Sequence, residues 1–358
     1  MSKLKIAVTC KDSSKIWSNG LTQNAYNLIL LLKKANYKVV DAVSQFEEAG
    51  KKLEEFQIKK LTNDNIKNYD IILEVCYSLT DGLFDLAKSK GIKVVTINYG
   101  NILMLMQEDF ILSPSRNPAI NRGGINSWIS PHFEFSKGFV EATSKGPVDI
   151  CPYIWSSEIF RKYFESRKID PFYSGPKNLK KIGVFESNIN IIKTCIYPLI
   201  SIEKLERKNS EIISEVLLFN AVSLKDNDKF KEITRNFDIF NSGKLSVEGR
   251  YPLPDMLAKG FVGTIVSHQF YCDLNYLTLE ALYTGNPIIH NSEFCKEAGY
   301  YYELFDADGC ANQIQNAIEN HDSNIEEYKK SAKEVLHKFS HDNPENISGY
   351  KRLINNIN

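Results

Sequence analysis

The sequence predicts an α/β protein built from two doubly wound domains facing a cleft. Three observations predict it. The chain has 358 residues, more than one hydrophobic core usually organises. Strand-type and helix-type runs alternate through both halves. The alternation breaks once, at the polar DPFYSGPKNLKK of residues 170–181, and then restarts. We therefore expect a first domain over 1–170, a linker at 171–180, a second domain over 181–340, and a segment 341–358 that packs back on the first domain.

The elements follow in order. KIAVT within residues 3–9 reads as a strand, and a polar glycine-containing loop, CKDSSKIWSNGLTQN, follows it. Residues 25–34 (AYNLILLLKK) have helical length, and 37–42 (YKVVDA) form the next strand, which completes a βαβ unit. YDIILEVC at 69–76 is a buried strand, 81–88 a helix, and IKVVTI at 92–97 a strand. Residues 98–130 carry Pro114, Pro118, Gly123 and Gly124 and read as helix plus long loop. VDICP at 148–152 ends the first domain. In the second half, strands are expected at 181–185, 215–219, 237–240, 263–267 and 287–290. Helices are expected at 191–204, 254–259, 276–283, 311–319 and 325–339. Such alternation implies parallel sheets covered on both faces, with ligands at the carboxyl ends of the strands.

Composition narrows the function classes. Hydrophobic residues make up 43% and charged residues 25%, and Lys+Arg balances Asp+Glu at 44 each. A neutral chain has no general attraction for nucleic acid or anionic membrane. No run approaches the roughly 20 apolar residues of a membrane span, and the N-terminus is too short in apolar residues for a signal peptide. Seven scattered cysteines without a CxxC fit thiols in a reducing compartment. We expect a cytoplasmic protein with no transmembrane segment.

The chemistry concentrates in residues 263–292, where strand GTIVS, loop HQFYCDLN, a helix containing Leu-Glu-Ala-Leu, Gly285-x-Pro287 and strand PIIHNS follow one another. This order resembles the nucleotide-sugar half of GT-B-fold glycosyltransferases, whose halves are Rossmann-like. KIAVT, the loop Ser18-Asn19-Gly20-Leu21-Thr22-Gln23 and the long helix resemble the opening of the acceptor domain. More narrowly, SPHFEF, CPYIWS, GVFESNINIIKTCIYP and the 267–292 stretch are similar to a bacterial family of glycosyltransferase-like proteins. The resemblance implies that Glu280 binds the donor ribose and that the preceding loop and first turn hold the diphosphate. Many retaining members carry two glutamates with seven residues between them. Here the first falls on Cys272, with Asp273 one position away, which leaves the stereochemical outcome open.

Physical chemistry supports the same positions. Glu280, flanked by Leu277, Leu279 and Leu282, would not be buried unpaired, because desolvation costs several kcal/mol. It faces solvent or a ligand, and a carboxylate can accept two bonds from a vicinal diol. Asp273, Asn275 and Thr278 surround the helix start, where free N–H groups favour phosphate. Glu186, Asn188, Asn190 and Lys193 follow the first strand of the second domain, and Lys193 can neutralise a phosphate. A capping role for Asn190 or Ser187 is the competing reading. His268, with Gln269, ends the strand before the key loop and would touch sugar or phosphate, and His290 would reach the base. In the first domain Gly20, Leu21 and Thr22 form a cleft loop. His132 and Glu134 share a side if SPHFEF is extended and would deprotonate an acceptor. Asp81 and Glu74 are rival acids. The triplets Asp226-Asn227-Asp228 and Asp306-Ala307-Asp308 look like metal motifs but sit where helix caps belong. Tyr300-Tyr301-Tyr302 reads mainly as packing.

The expected activity is metal-independent transfer of a hexosyl or pentosyl group from a nucleotide-sugar to an acceptor hydroxyl, with no cofactor. The acceptor class spans glycan, lipid-linked glycan, small molecule and modified nucleic acid. A nucleotide-sugar epimerase on the same fold and a non-catalytic sugar- or nucleotide-binding module are the alternatives.

Overall fold

The first strand, β1 (Lys5–Thr9), buries four of its five residues, as a central strand covered on both faces must. The computed structural model describes residues 4–112, 125–144 and 146–357. After β1 come α1 (Gly20–Lys34), β2 (Val39–Ser44), a small hairpin of β3 (Lys52–Leu53) and β4 (Phe56–Gln57), and β5 (Lys59–Lys60). Then follow β6 (Ile71–Glu74), α2 (Asp81–Ser89), β7 (Lys93–Asn98), α3 (Ile102–Leu112), β8 (Asn126–Ile129), α4 (Lys137–Ser144) and β9 (Val148–Ile150). The sheet runs β5-β2-β1-β6-β7-β8-β9, and every pairing is parallel. Val8, for example, lies opposite Ala42 on one side and Leu73 on the other. Ala7, Val43, Ile72, Leu79 and Leu83 form part of its core.

The second half repeats the scheme. α5 (Glu158–Arg167) precedes β10 (Lys181–Val184), α6 (Ile196–Lys208), β11 (Glu215–Leu218), α7 (Asp228–Thr234), α8 (Asp238–Asn241), β12 (Leu245–Val247) and α9 (Leu253–Ala258). β13 (Thr264–Val266), α10 (Tyr276–Thr284), β14 (Ile288–His290), β15 (Tyr300–Tyr301), α11 (Ala307–Asn320) and α12 (Ile325–Lys338) complete it, before a last helix, α13 (Pro344–Asn355). Its sheet, β12-β11-β10-β13-β14-β15, is parallel throughout. Both sheets thus start at an inner strand, wind to one edge, return and wind to the other, so each has a point where the strand order reverses. That point lies between β1 and β6 in the first sheet and between β10 and β13 in the second.

The chain divides into two compact units, Met1–Ser156 with Lys338–Asn358, and Ser157–His337. The first break therefore comes before α5, not at the proline-rich 171–180. Aromatic packing explains the difference. α5 sets Phe160 against Tyr283 and Phe164 against Phe172, and Tyr163 donates to Asp255, all within the second unit. The C-terminal segment belongs to the first unit. Trp155 N–H donates to Phe339 O at 2.8 Å, buried Tyr350 donates to Pro152 O, and its ring meets Trp128 edge-on at 6.0 Å.

Several local expectations change. The loop 10–24 is mostly helical. A 3-10 turn spans Ser13–Ser18, Asn19 caps α1, and Gly20 is its first residue. Residues 237–240 are not a strand but enter α8. The buried Glu203 carboxylate accepts from the N–H groups of Asp238 and Ile239 and nucleates that turn, which a local pattern cannot reveal. β8 lies within the stretch 98–130 that reads as helix plus long loop, and β12 is a strand outside every expected one. SPHFEF is a 3-10 turn, Pro131–Ser136. The long loop around Pro114, Pro118, Gly123 and Gly124 lies outside the described residues.

Candidate functional site

At the reversal point of the second sheet a carboxylate is buried. Glu186 follows β10 and is 2% exposed. An unpaired carboxylate there would cost several kcal/mol, and the loop after β13 prevents that. Glu186 Oε1 accepts from Ser267 Oγ at 2.7 Å and from His268 N–H at 3.1 Å. Its Oε2 accepts from Gln269 Nε2 at 2.6 Å. Burial pushes the carboxyl up, these bonds and the Lys193 charge pull it partway back, and the net position is about 7.

The neighbouring groups lock this cluster. Asn291, just after β14, clasps the Gln269 backbone. Its Oδ1 accepts from Gln269 N–H and its Nδ2 donates to Gln269 O, each at 2.8 Å. Tyr302 donates to Ser267 O and contacts His268 Nδ1 at 2.9 Å. The His268 ring stacks on Tyr197 at 4.2 Å, and burial lowers its pKa to about 4. The polar ending of PIIHNS thus serves β13 rather than solvent.

Other expected contacts are spent inside the protein. Asn188 has positive φ. Its Nδ2 donates to Glu186 O and Asn220 O, and its Oδ1 accepts from Cys195 N–H. Asn190 Oδ1 accepts from Ile192 N–H, the turn-forming alternative. His290 is not a base contact, because both ring nitrogens bond backbone, to Ala298 O and Ser292 N–H. Asn275 caps α10 through Leu277 N–H, and Thr278 is buried. Gly285 ends α10 with φ 71°, a left-handed cap that glycine adopts without strain, and that accounts for the Gly-x-Pro.

Three ionisable groups of the predicted site remain, Lys193, Asp273 and Glu280. Lys193 is half-buried and makes no ion pair among the described residues, with Glu186 and Cys272 beside it. Asp273, half-buried, is pushed up to about 6 by burial and then by Glu293. Glu280 is half-buried, has no side-chain hydrogen bond among the described residues, and burial alone pushes it up to about 8.

In the first unit the expected acids separate. His132 is buried against Phe133 and Tyr153, whereas Glu134 on the same 3-10 turn is exposed, so the two share no face. Asp81 is exposed at the start of α2. Glu74 is buried and accepts from Leu79 N–H and Thr96 Oγ1. Leu21 is exposed and Thr22 buried in the first turn of α1. The aspartate triplets act as caps: Asn227 for α7, and Asp306 for α11. Sequence reasoning missed Ser267, Asn291 and Tyr302 as organisers of the cluster. Their position at strand ends was the available signal.

Two parallel sheets, each with a reversal point, define the class. The chain is similar to a glycosyltransferase from Rickettsia africae ESF-5 at TM-score 0.55 and 14% identity, covering 99% of this chain and 100% of that one. It is also similar to Anabaena Alr3699/HepE, solved with UDP and glucose, at TM-score 0.54 and 10% identity over 99% and 100%. Sucrose-phosphate synthase from Thermosynechococcus elongatus aligns at TM-score 0.56 and 12% identity over 98% of each chain. The fold is GT-B, of two Rossmann-like domains. The chain itself belongs to the family described as protein of unknown function (DUF2827), whose family model matches residues 4–354. No curated protein matches it by sequence.

Proposed function

We propose that this chain is a metal-independent glycosyltransferase that moves a hexosyl or pentosyl group from a nucleotide-sugar to an acceptor hydroxyl. The observation that carries the reading is a pair of under-satisfied ionisable groups on the segments that follow β10 and β13. Lys193 is a half-buried cation with no ion pair, and Glu280 a half-buried carboxylate with no hydrogen bond, among the described residues. A buried charge is stable when something pairs with it, and a nucleoside diphosphate supplies both complements. Its phosphates pair with Lys193, and its ribose diol donates to Glu280, which drives that carboxyl back to the ionised form.

Asp273 lies two residues before the loop's end and would contact the transferred group. On the acceptor side we assign proton removal to His132, which follows the carboxyl end of β8. UDP and UDP-glucose bound to HepE support uridine nucleotides as first probes. No cofactor is required by this reading. Of the aspartates that resemble metal motifs, Asp308 pairs with Lys204 at 2.9 Å, Asp228 pairs with Lys231 at 3.7 Å and Asp306 caps α11.

A thermal-shift series with UDP, GDP, ADP and CDP tests the reading. Ligand at a hundredfold over its Kd adds about 2.7 kcal/mol, so one nucleotide should raise Tm clearly, without divalent metal. No shift with any of the four would refute it. Transferase activity lost in chelator and restored by Mn²⁺ or Mg²⁺ would overturn metal independence.

A further inference from the structure

The cluster around Glu186 is one-sided in its hydrogen bonding. Ser267 spends its hydroxyl proton on Glu186 Oε1, and His268 spends its backbone N–H on the same oxygen. Gln269 spends its side-chain amide on Glu186 Oε2 at 2.6 Å and on Ser267 Oγ at 3.3 Å. Tyr302 spends its only proton on Ser267 O, so its oxygen accepts from His268 Nδ1–H. What remains bare is two acceptors, His268 Nε2 and Gln269 Oε1, both buried and without a partner among the described residues. Their side chains are 5% and 3% exposed.

The orientation of the Gln269 amide is not arbitrary. Above about pH 7, where Glu186 is ionised, its carboxylate only accepts. Reversing the amide would place oxygen against oxygen at 2.6 Å. Glu186 therefore holds Gln269 Oε1 away from itself, and Asn291 fixes the backbone of the same residue on both sides. Two consecutive residues at the end of β13 present bare acceptors on a braced frame. A buried acceptor left unmade costs about 1–3 kcal/mol. Phosphate cannot satisfy it, because phosphate oxygens also accept. A hydroxyl can.

We propose that His268 Nε2 and Gln269 Oε1 accept hydrogen bonds from hydroxyls of the transferred sugar, with Glu186 as the positioning residue that orients Gln269. The assignment rests on the donor-site reading above. It places the sugar there, rather than the nucleoside, because Gln269 bonds the same carboxylate that Lys193 faces, and Lys193 is the group assigned to the diphosphate. In a donor the sugar adjoins the diphosphate.

The test is the affinity added by the sugar, measured by calorimetry with UDP-glucose against UDP and GDP-mannose against GDP. Wild type should bind at least one sugar nucleotide more tightly than its nucleotide. Gln269→Leu, similar in size but without an acceptor, should lose about fivefold on the sugar nucleotide and nothing on the nucleotide alone. Glu186→Gln should lose part of the same increment, and that loss should vary less with pH than the wild-type affinity does. A purely structural role would weaken both ligands alike, and equal loss on both would overturn the proposal. A second measurement needs only wild type. UDP-glucose analogues with single hydroxyls replaced by fluorine, which cannot donate, should include at least one weaker binder. If every analogue binds like the parent, the proposal fails while the nucleotide site stands. If neither nucleotides nor sugar nucleotides bind, both readings fail.

Discussion

Replacing Glu186 by glutamine should flatten the dependence of stability on pH. In the folded chain burial raises this carboxyl from 4.5 to about 7, so the folded state keeps a proton that the unfolded state has already released. The contribution to stability is fully present below about pH 4.5 and is lost as pH rises through about 7. A shift of that size is worth on the order of 3 kcal/mol. Lys193, Cys195, Cys272 and Tyr302 are the other titratable groups that feel this charge, and all of them are retained in Glu186→Gln. Asp273 and Glu280, also raised by burial, act in the same direction in both proteins and cancel in the difference. The assay is thermal or urea unfolding of wild type and Glu186→Gln at pH 5 and pH 8. Wild type should lose more stability between the two, by a few kcal/mol. Parallel pH curves would show that Glu186 is ionised throughout and that its bonds to Ser267, His268 and Gln269 outweigh burial.

Further outcomes follow from the same contacts. Glu280→Gln should weaken nucleotide binding about 10- to 150-fold, as expected for a charge-assisted bond. Wild type should also lose affinity for a 2′,3′-dideoxyribose nucleotide while the variant loses little more, and equal discrimination by both would end the ribose assignment. Tyr350→Ala should cost the first unit about 3–5 kcal/mol, because the ring is fully buried beside Trp128 and its hydroxyl holds Pro152 O. A small change in the unfolding midpoint would mean that α13 is dispensable. Asn188→Ala should destabilise by a few kcal/mol, since it removes three bonds at a positive φ, and Asn188→Gly should restore only the backbone part.

Most of the architecture was legible because parallel sheets write themselves as apolar runs. KIAVT, YDIILEVC, IKVVTI, KIGV and GTIV all became strands near their expected bounds. The failures share one cause, which is tertiary contact. Residues 237–240 had the apolar spacing of a strand, but Glu203, 35 positions away from Asp238, caps them as a helix. The domain boundary moved because aromatic rings on α5 pack on Phe172 and Tyr283, which proline content does not report. At the candidate site the residue types were readable and their duties were not. Asn188 offered an amide donor to a ligand on paper and spends it on backbone in the fold, while Asn190 accepts from Ile192 N–H through its oxygen. Glu186 looked like a loop carboxylate until Ser267, His268 and Gln269, more than 80 positions later, closed over it.

The first unit is assembled from both ends of the chain, with Trp155 bridged to Ser340 in parallel. That arrangement has a consequence for biosynthesis. Domains usually fold in the order in which the ribosome delivers them. Here residues 157–337 form an uninterrupted stretch, complete before the C-terminal segment has been made. The unit that begins first must therefore finish last. Until α13 emerges, the newborn chain exposes the surface that Tyr350, Leu353 and Ile354 will cover. A chain truncated just short of α13 and released should carry one finished unit and one open one, and the open one is where a chaperone would be needed.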